Sequence, residues 1–356
     1  MIRPTTLSLA VLAPVAAAAE VPRVVTDIPP VHSLVVQVLG DLGEADLLLE
    51  TGGNAHTYQL RPSQARAVAQ ADLVFWIGPD LTPWLDRTLD GIGGSAKAVD
   101  LIGADGTFRR EFGETGAHDH DAHGHDDDGH GDHGHGDHGH DDHGHDDHGH
   151  DDDGHDHAGE DAHDHDHDHD HAEADGHDGH DHSGLDPHAW LDPANARTWL
   201  AVIAAELSAA DPANAAAYAA NAAAADAEIA ALDTALAARL KTVADRPFTV
   251  FHDAYGYFAG HYGLTVAGSI ALGDAAAPGA ARLAELRAEL AEGGVVCAFP
   301  EAQHDPALVL TVAEGTDVRI GGTLDPAGST LPPGPGLYAA LLTGMADTLI
   351  DCLDAG

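Results

Sequence analysis

The sequence predicts an α/β fold with two lobes, each built on a mainly parallel four-stranded sheet flanked by helices, joined by one long rigid helix. Short β-branched runs alternate with helical segments in the first third of the chain and again after residue 246. This alternation is typical of a parallel sheet covered by helices. An alanine-dominated stretch with a helical period separates the two halves. The length of 356 residues suits two domains and an insertion.

The first lobe is predicted to comprise residues 20–210. Four short runs rich in β-branched residues have the composition of strands, and the segments between them have a helical period. We expect strands at 23–26, 46–49, 73–77 and 97–99, and helices at 31–39, at 62–70 and up to about residue 210. A loop rich in His and Asp, residues 114–184, is inserted in this lobe.

A long helix is predicted within residues 211–245. Asp211-Pro212 ends one helix and begins the next, and large apolar side chains recur at mostly helical spacing as far as Val243. About 30 helical residues span roughly 45 Å, which is enough to run behind both lobes and connect them. The alternative is that this segment is one more surface helix of the first lobe.

The second lobe is predicted to comprise residues 246–356. The alternation of strand and helix patterns resumes after Pro247. We expect strands at 248–251, 263–266, 294–299 and 317–320, and helices at 278–292, 306–315 and 337–353. The two halves of the chain therefore belong to the same fold class.

The N-terminal residues 1–19 are predicted to be a signal peptide. Arg3 makes the start basic, a short apolar run from Leu7 to Val15 follows, and Ala17-Ala18-Ala19 is a cleavage signal. The apolar run is shorter than the roughly 20 residues that a membrane span needs. We therefore expect the protein to be exported.

The chain contains two cysteines, Cys297 and Cys352. Both follow the export signal, so they are expected to reach an oxidising compartment, where an even pair indicates a disulfide before a metal site. In the chain-entropy model, closing a loop of this size would stabilise the fold by about 4 kcal/mol. The alternative is a pair of buried free thiols.

The segment from Glu114 to His182 holds 23 of the 29 histidines and no Lys or Arg. Its many Gly and charged residues offer too few apolar side chains to offset the entropy of ordering it, so we predict a disordered loop. Imidazole and carboxylate groups bind zinc-class ions, which predicts several modest sites. The alternative is an insert that only solubilises. The candidate auxiliary ligands are His133, His135, His138, His140, His143, His145, His163, His165, His167, His169 and His171.

The charge of the chain excludes some classes of partner. The formal net charge is −45 with neutral histidines, and 60 acidic residues face only 15 basic ones. Phosphate backbones would be repelled by such a surface, so binding of DNA or RNA is excluded. Anionic membrane surfaces are disfavoured for the same reason.

Six histidines lie outside the loop, and three of them stand in contexts that suggest a site. His56 lies in GGNAHTYQLRPS, His188 in LDPHAWLDP and His252 in TVFHDAYGYF. Each follows a predicted strand or a turn, where α/β domains place ligands. Taken singly, each is more often a structural or surface histidine than a ligand. Spacing alone cannot identify them as ligands, because ligands from distant segments leave no short regular pattern.

The order of these motifs resembles the zinc-specific solute-binding proteins of metal ABC transporters, the ZnuA type. The resemblance rests on GGNAHTYQLRPSQ, ADLVFWIGPDLTPWL, DPHAWLDP, FHDAYGYF and GTLDPAGS, together with the terminal pair of cysteines. It covers the chain from about Val24 to Leu353, interrupted by the His/Asp-rich loop. Such a loop is itself a feature of the zinc branch.

The resemblance implies two α/β lobes with a metal ion in the cleft between them. By their motifs, His56 and His188 would come from the first lobe, and His252 and Asp325 from the second. Some zinc members of the family ligate through a Glu just before the first histidine, where this chain has Ala55. The fourth ligand is therefore expected to be Asp325 or water, and Asp325 is preferred. Three histidines favour Zn²⁺ over harder cations, which prefer oxygen ligands.

Two of the remaining three histidines match no ligand position of the family. His261 and His304 are expected at the surface. His32 follows Pro29-Pro30-Val31 and could lie at a helix start near the cleft, as a weak candidate ligand.

The function that the resemblance implies is capture of Zn²⁺ in the periplasm and its delivery to an ABC-type membrane permease, by a protein that is not an enzyme. The His-rich loop would collect or sense zinc, a periplasmic zinc chaperone is a further candidate partner, and we expect a monomer. The alternatives are a manganese or iron carrier of the same superfamily and a periplasmic zinc buffer. A zinc hydrolase is disfavoured, because the chain has no H-E-x-x-H motif.

Overall fold

The computed structural model describes residues 21–92, 96–113, 184–271 and 279–355. The predicted signal peptide and the candidate auxiliary ligands of the His/Asp-rich loop lie outside these residues. In the described part of the chain, no helix is both long enough and apolar enough to cross a membrane.

The first lobe contains a four-stranded sheet in which all strand pairs are parallel, with the order β2-β1-β3-β4. Its helices α1 and α2 each begin with a proline in the first turn, where the missing N–H is no loss. The strands are β1 Val24–Thr26, β2 Ala45–Leu47, β3 Leu73–Trp76 and β4 Lys97–Asp100, and the helices are α1 Pro29–Leu39, α2 Pro62–Gln70 and α3 Pro83–Ile92.

The second lobe repeats this topology with the order β6-β5-β7-β8, again all parallel. The strands are β5 Phe248–Val250, β6 Val266–Ser269, β7 Cys297–Ala298 and β8 Arg319–Ile320, and the helices are α6 Gly256–Tyr262, α7 Ala280–Glu292, α8 Ala307–Ala313 and α9 Leu337–Leu353. The predicted fold class, two parallel four-stranded sheets flanked by helices, is confirmed.

The strand predicted at 263–266 was placed too early. Gly263 has a positive φ of 66° and ends α6, and the backbone N–H of Leu264 donates to the carbonyl of Ala259. These residues therefore form the left-handed end of a helix. The strand itself, β6, begins at Val266.

Helices α4 Pro193–Ala210 and α5 Ala215–Leu240 lie between the sheets in the sequence. The long helix α5 has 26 residues, a length of roughly 39 Å. It begins later than predicted, because the Asp211 carboxylate accepts hydrogen bonds from Asn214 and Tyr218 in the turn before it. It packs on α1 and α4 and also on α9. It therefore contacts both lobes, as a connecting helix would.

One hydrophobic core runs through both lobes. It includes Phe75 and Trp199 from the first lobe, Tyr218 from α5, and Phe248 and Leu349 from the second lobe. Strand residues alternate between this core and a smaller cluster on the outer face of each sheet. A continuous core resists separation of the lobes, because opening them would expose buried apolar surface.

The predicted disulfide between Cys297 and Cys352 is present, with Cα atoms 6.4 Å apart. It joins β7 to α9 within the second lobe. The Arg319 guanidinium donates a hydrogen bond of 2.6 Å to the carbonyl of Cys352 beside it. The disulfide therefore holds the strand that leads to Glu301 against the C-terminal helix.

Candidate metal centre

Four segments that are distant in the sequence meet at one edge of the two sheets. His252 follows β5 and Glu301 follows β7, and these two parallel strands are neighbours in the sheet. His188 lies just before the turn that starts α4, and His56 lies in the connection from β2 to α2. In α/β sheets, ligands bind outside the carboxyl ends of the strands, and these residues lie there.

The imidazoles of His56, His188 and His252 converge. Their ring centroids are 5.2 Å apart for His188 and His252, 5.3 Å for His56 and His188, and 6.1 Å for His56 and His252. One ring nitrogen of each lies within 4.8 Å of the others, and the Nε2 atoms of His188 and His252 are 3.4 Å apart. Tetrahedral zinc with Zn–N bonds of about 2.0–2.1 Å separates neighbouring ligands by roughly 3.3–3.4 Å.

His188 is oriented by a carboxylate two residues before it. Asp186 Oδ1 lies 2.8 Å from His188 Nδ1 and 3.0 Å from its backbone nitrogen. The Asp186 carboxylate is buried, and its other oxygen lies 3.8 Å from Arg110 Nε. A carboxylate on Nδ1 holds the proton on that nitrogen and leaves Nε2 to bind a metal ion.

His252 has an equivalent partner from a different strand. Glu301 Oε2 lies 2.7 Å from His252 Nδ1 and also accepts a hydrogen bond of 3.0 Å from the Tyr255 hydroxyl. Burial, and next the charge of Glu301, raise the pKa of Tyr255 well above its ordinary value. Tyr255 therefore stays a neutral donor, and Glu301 holds His252 with Nε2 directed to His188.

His56 is half-buried on a loop that is fixed mainly through its backbone. Asn54 Oδ1 accepts a hydrogen bond of 2.9 Å from the His56 N–H, and Trp84 Nε1 donates one of 2.6 Å to the carbonyl of Ala55. Ala55 is buried in the wall of the site and carries no ligand atom. The Gly52 N–H donates to the carbonyl of Ser329, which ties this loop to the second lobe.

A small cavity of about 20 Å³ lies between these groups. This is room for about one water molecule or ion. Trp190 and Pro326 close one side of it, and the Trp190 indole donates a hydrogen bond of 2.7 Å to the Pro326 carbonyl. The two residues come from different lobes, so this hydrogen bond joins the lobes at one side of the cavity.

Asp325 is not brought together with the three histidines among the described residues. Its Oδ1 accepts from the backbone and hydroxyl of Ser329, at 3.0 and 3.2 Å, and its Oδ2 from those of Thr330, at 2.8 and 2.6 Å. The carboxylate therefore stabilises the turn that contacts the His56 loop through Ser329. Its assignment as a ligand stays a prediction.

Two histidines that we expected at the surface are not there. The side chain of His304 is 14 % exposed and lines the cavity. The side chain of His261 is 11 % exposed and lies between Asp192, at 3.0 Å, and Asp233, at 2.8 Å. Burial alone would lower the pKa of His261, but the two carboxylates raise it to about 9. Sequence context missed both positions, because Asp192 and Asp233 are distant from His261 in the chain, and so is Phe251, on which His304 stacks.

His32 lies in α1, buried, with Nε2 3.1 Å from the carbonyl of Ala45. Burial lowers the pKa of this imidazole. It belongs to neither group of potential ligands found in the described residues. Glu301 was also missed by the sequence reasoning, although its place just after the run that ends in Phe299 is a signal that the strand-end rule could have used.

A family model described as "ZnuA: Zinc-uptake complex component A periplasmic" matches residues 24–352. The chain belongs to this family. It is 50 % identical, over the whole length of both chains, to the high-affinity zinc uptake system protein ZnuA of Paracoccus denitrificans. It is 41 % identical to the ZnuA protein of Brucella abortus, over 94 % of this chain and 93 % of that one. The predicted resemblance to zinc-specific solute-binding proteins is confirmed.

Solved structures show the same fold. A crystal structure of ZnuA matches with a TM-score of 0.65 at 23 % identity, covering 93 % of this chain and 99 % of that one. Zn(II)-bound AdcA from Streptococcus pneumoniae matches with a TM-score of 0.63 at 21 % identity, and the match covers 94 % of this chain and 58 % of that longer chain.

Proposed function

We propose that this protein captures Zn²⁺ with His56, His188 and His252 and delivers it to the membrane permease of an ABC-type zinc uptake system. The observation that carries the proposal is the convergence of three imidazoles, two of which have a buried carboxylate on the other ring nitrogen. Relatives across the full length of the chain are named high-affinity zinc uptake proteins. The family is one of transport proteins, which agrees with a carrier.

The donor set favours zinc over manganese or iron. Neutral imidazole nitrogens suit Zn²⁺, whereas Mn²⁺ prefers carboxylate, carbonyl and water oxygens. The buried carboxylates of Asp186 and Glu301 contact Nδ1 of their histidines, the ring nitrogen that faces away from the ion. Their negative charge offsets the positive charge of the ion. Both carboxylates also fix the orientation of the imidazole that they contact, which favours its bond to the metal.

The fourth coordination position belongs to Asp325 or to water in this proposal. Asp325 would have to exchange hydrogen bonds to Ser329 and Thr330 for a bond to the metal. Replacing Asp325 by Asn keeps acceptors for the turn and removes the charge. A fall in zinc affinity of about tenfold or more would support Asp325 as the ligand. An affinity unchanged in Asp325→Asn and in Asp325→Ala would assign the position to water.

Release is proposed to follow from a small displacement of the lobes when the permease binds. His56 and His188 belong to the first lobe and His252 to the second, so a relative shift lengthens some of the metal–ligand distances. The continuous core and the long helix α5 limit that shift. We further propose that the protein is periplasmic and monomeric. The His/Asp-rich loop would collect zinc before the ion enters the cleft, and a periplasmic chaperone is a second possible source of the ion.

The proposal is tested by competition of the protein with a chromophoric chelator for Zn²⁺. We expect one tight site that is lost in His188→Ala and kept when residues 114–182 are deleted. His32→Ala is the matched control, because it removes an imidazole outside the cleft. Loss of all binding on deletion of the loop would instead indicate a zinc buffer. Displacement of Zn²⁺ by equimolar Mn²⁺ in the deletion variant would indicate a manganese carrier.

A further inference from the structure

A second group of potential ligands shares one member with the three histidines. His252, Glu301 and His304 each offer a ligand atom within 4.8 Å of the others. All three line the same small cavity as His56 and His188. The side chains of His252 and Glu301 are 7 % and 3 % exposed and that of His304 is 14 % exposed, so His304 is the most accessible of the three.

The backbone before His304 is in an unusual conformation. Gln303 has a φ of 66° and is the one non-glycine residue with a positive φ among the described residues. Such a conformation costs about 1 kcal/mol or more, and it persists where the surrounding structure requires it, often at functional sites. The His304 ring stacks on Phe251, with centroids 4.2 Å apart and an angle of 26°. The imidazole is therefore held in a defined position at the cavity.

The two oxygens of the Glu301 carboxylate have different contacts. Oε2 binds His252 Nδ1 and the Tyr255 hydroxyl. Oε1 lies 3.6 Å from His304 Nε2, which is too long for a hydrogen bond. It is close to the roughly 3.3–3.4 Å that separates two ligands of one tetrahedral zinc ion. An imidazole nitrogen and a carboxylate oxygen thus face each other at a spacing that suits a metal ion.

We infer that Glu301 and His304 form an outer position through which Zn²⁺ passes on its way into and out of the three-histidine site. This inference rests on the proposed function. Both groups of ligands line one small cavity, so Glu301 Oε1 and His304 Nε2 bind the ion before His56 and His188 replace them, while Glu301 Oε2 stays on His252 Nδ1. Because each bond that breaks is replaced by another, the ion never has to cross the cavity without protein ligands. The cavity of about 20 Å³ has room for one ion at a time.

The inference predicts a kinetic effect without an equilibrium effect. A transit ligand lowers the barrier in both directions, so its removal slows association and dissociation by the same factor. In His304→Ala and His304→Phe we expect both rate constants to fall by about tenfold, and the dissociation constant of the tight site to change by less than about threefold. His304→Phe is the decisive variant, because phenylalanine retains stacking on Phe251 and cannot bind a metal ion.

The rates are measured by stopped-flow tryptophan fluorescence on the full-length protein. Zn²⁺ buffered by citrate gives association, and mixing the zinc-loaded protein with excess EDTA gives dissociation. The Trp190 ring lies 5.3 Å from that of His188, whereas residues 114–183 contain no tryptophan. The signal therefore reports on the cleft and not on the loop. Imidazole added to His304→Ala should restore the rates, and the same addition to wild type is the control.

Wild-type rates in His304→Phe would overturn the inference, because stacking would then be the whole role of His304. A weaker affinity produced by faster dissociation alone would also overturn it and would make His304 a ligand of the final site. Failure of the proposed function would give a different result from failure of this inference. In that case the wild-type protein itself would lack a tight site that depends on His188.

Discussion

The two lobes hold their zinc ligands in different ways. In the first lobe, Asp186 orients His188 from two residues away and binds both its ring and its backbone nitrogen. In the second lobe, Glu301 orients His252 from 49 residues away, and the two meet because β5 and β7 are neighbours in the sheet. The first arrangement is local in the sequence, whereas the second exists only when the sheet has formed.

The two carboxylates also differ in their other contacts. Asp186 is enclosed by groups of the cleft wall, and the Tyr257 hydroxyl donates to its carbonyl at 3.0 Å. Glu301 faces Tyr255, His252 and His304 at once. One carboxylate thus serves a single ligand, and the other connects the final site to the outer position that we infer. Zinc binding is therefore expected to be more sensitive to changes of packing in the second lobe than in the first.

The largest effect should follow from removing one ligand from each lobe. In His188→Ala and in His252→Ala, we expect zinc affinity to fall by at least about 1,000-fold, or about 4 kcal/mol, because two imidazoles cannot retain the ion against a strong chelator. Competition with a chelator measures both variants. If one variant kept nanomolar affinity, the lobe concerned would not supply a required ligand.

The second effect concerns a disulfide that is present only in the second lobe, since the chain has two cysteines. Replacing Cys297 and Cys352 by Ser together should lower the free energy of unfolding by about 4 kcal/mol, because the unfolded chain gains the freedom of an open loop. Denaturant unfolding of the zinc-free protein measures the change. Equal stability of variant and wild type would mean that packing of α9 alone holds the second lobe.

The third effect tests the contact between the lobes at His261. Its pKa is about 9 in the folded protein, against about 6.5 in an unfolded chain. The folded state therefore binds the proton more tightly, so the stabilisation is fully present below pH 6.5 and is lost as the pH rises through 9. The expected loss is at most about 3 kcal/mol.

The pH dependence that arises from His261 is set by the charged and titratable groups around it. These are the carboxylates of Asp192 and Asp233, the hydroxyl of Tyr262 and the more distant Arg197. Unfolding of the zinc-free protein by urea between pH 6 and 9.5 measures it. The variant His261→Gln should have a flatter dependence over the same range. An identical slope in the variant would assign the pH dependence to other groups.

The smallest effect compares the two orienting carboxylates directly. Asp186→Asn and Glu301→Gln should each weaken zinc binding by about 10–100-fold, as for other groups that orient a ligating histidine. We expect the larger loss in Glu301→Gln, because the Glu301 carboxylate contacts His252, Tyr255 and His304, whereas Asp186 orients His188 alone among the histidines of the site. Chelator competition measures affinity, and the melting temperature of the zinc-free variants controls for folding. A larger loss in Asp186→Asn would reverse the comparison between the lobes.

The sequence by itself determined the fold class, the disulfide and the three histidines of the predicted site. Strand and helix patterns depend on neighbouring residues, and the motifs around His56, His188 and His252 are short and contiguous. The C-terminal helix was predicted at 337–353 and lies at Leu337–Leu353. The predicted start of β6 was less accurate, because residue patterns do not reveal that Gly263 adopts a left-handed conformation and ends α6.

Only the tertiary structure decided what surrounds those histidines. Glu301 and His304 reach the cavity because β7 lies beside β5, and His261 meets Asp233 because α6 packs near the long helix. Asp325 turns its carboxylate to Ser329 and Thr330, which no local pattern indicates. The physical reason is the same in each case. A hydrogen bond or metal site needs atoms within a few ångströms, and residues far apart in the chain reach that distance only through the packing of parallel strands and helices.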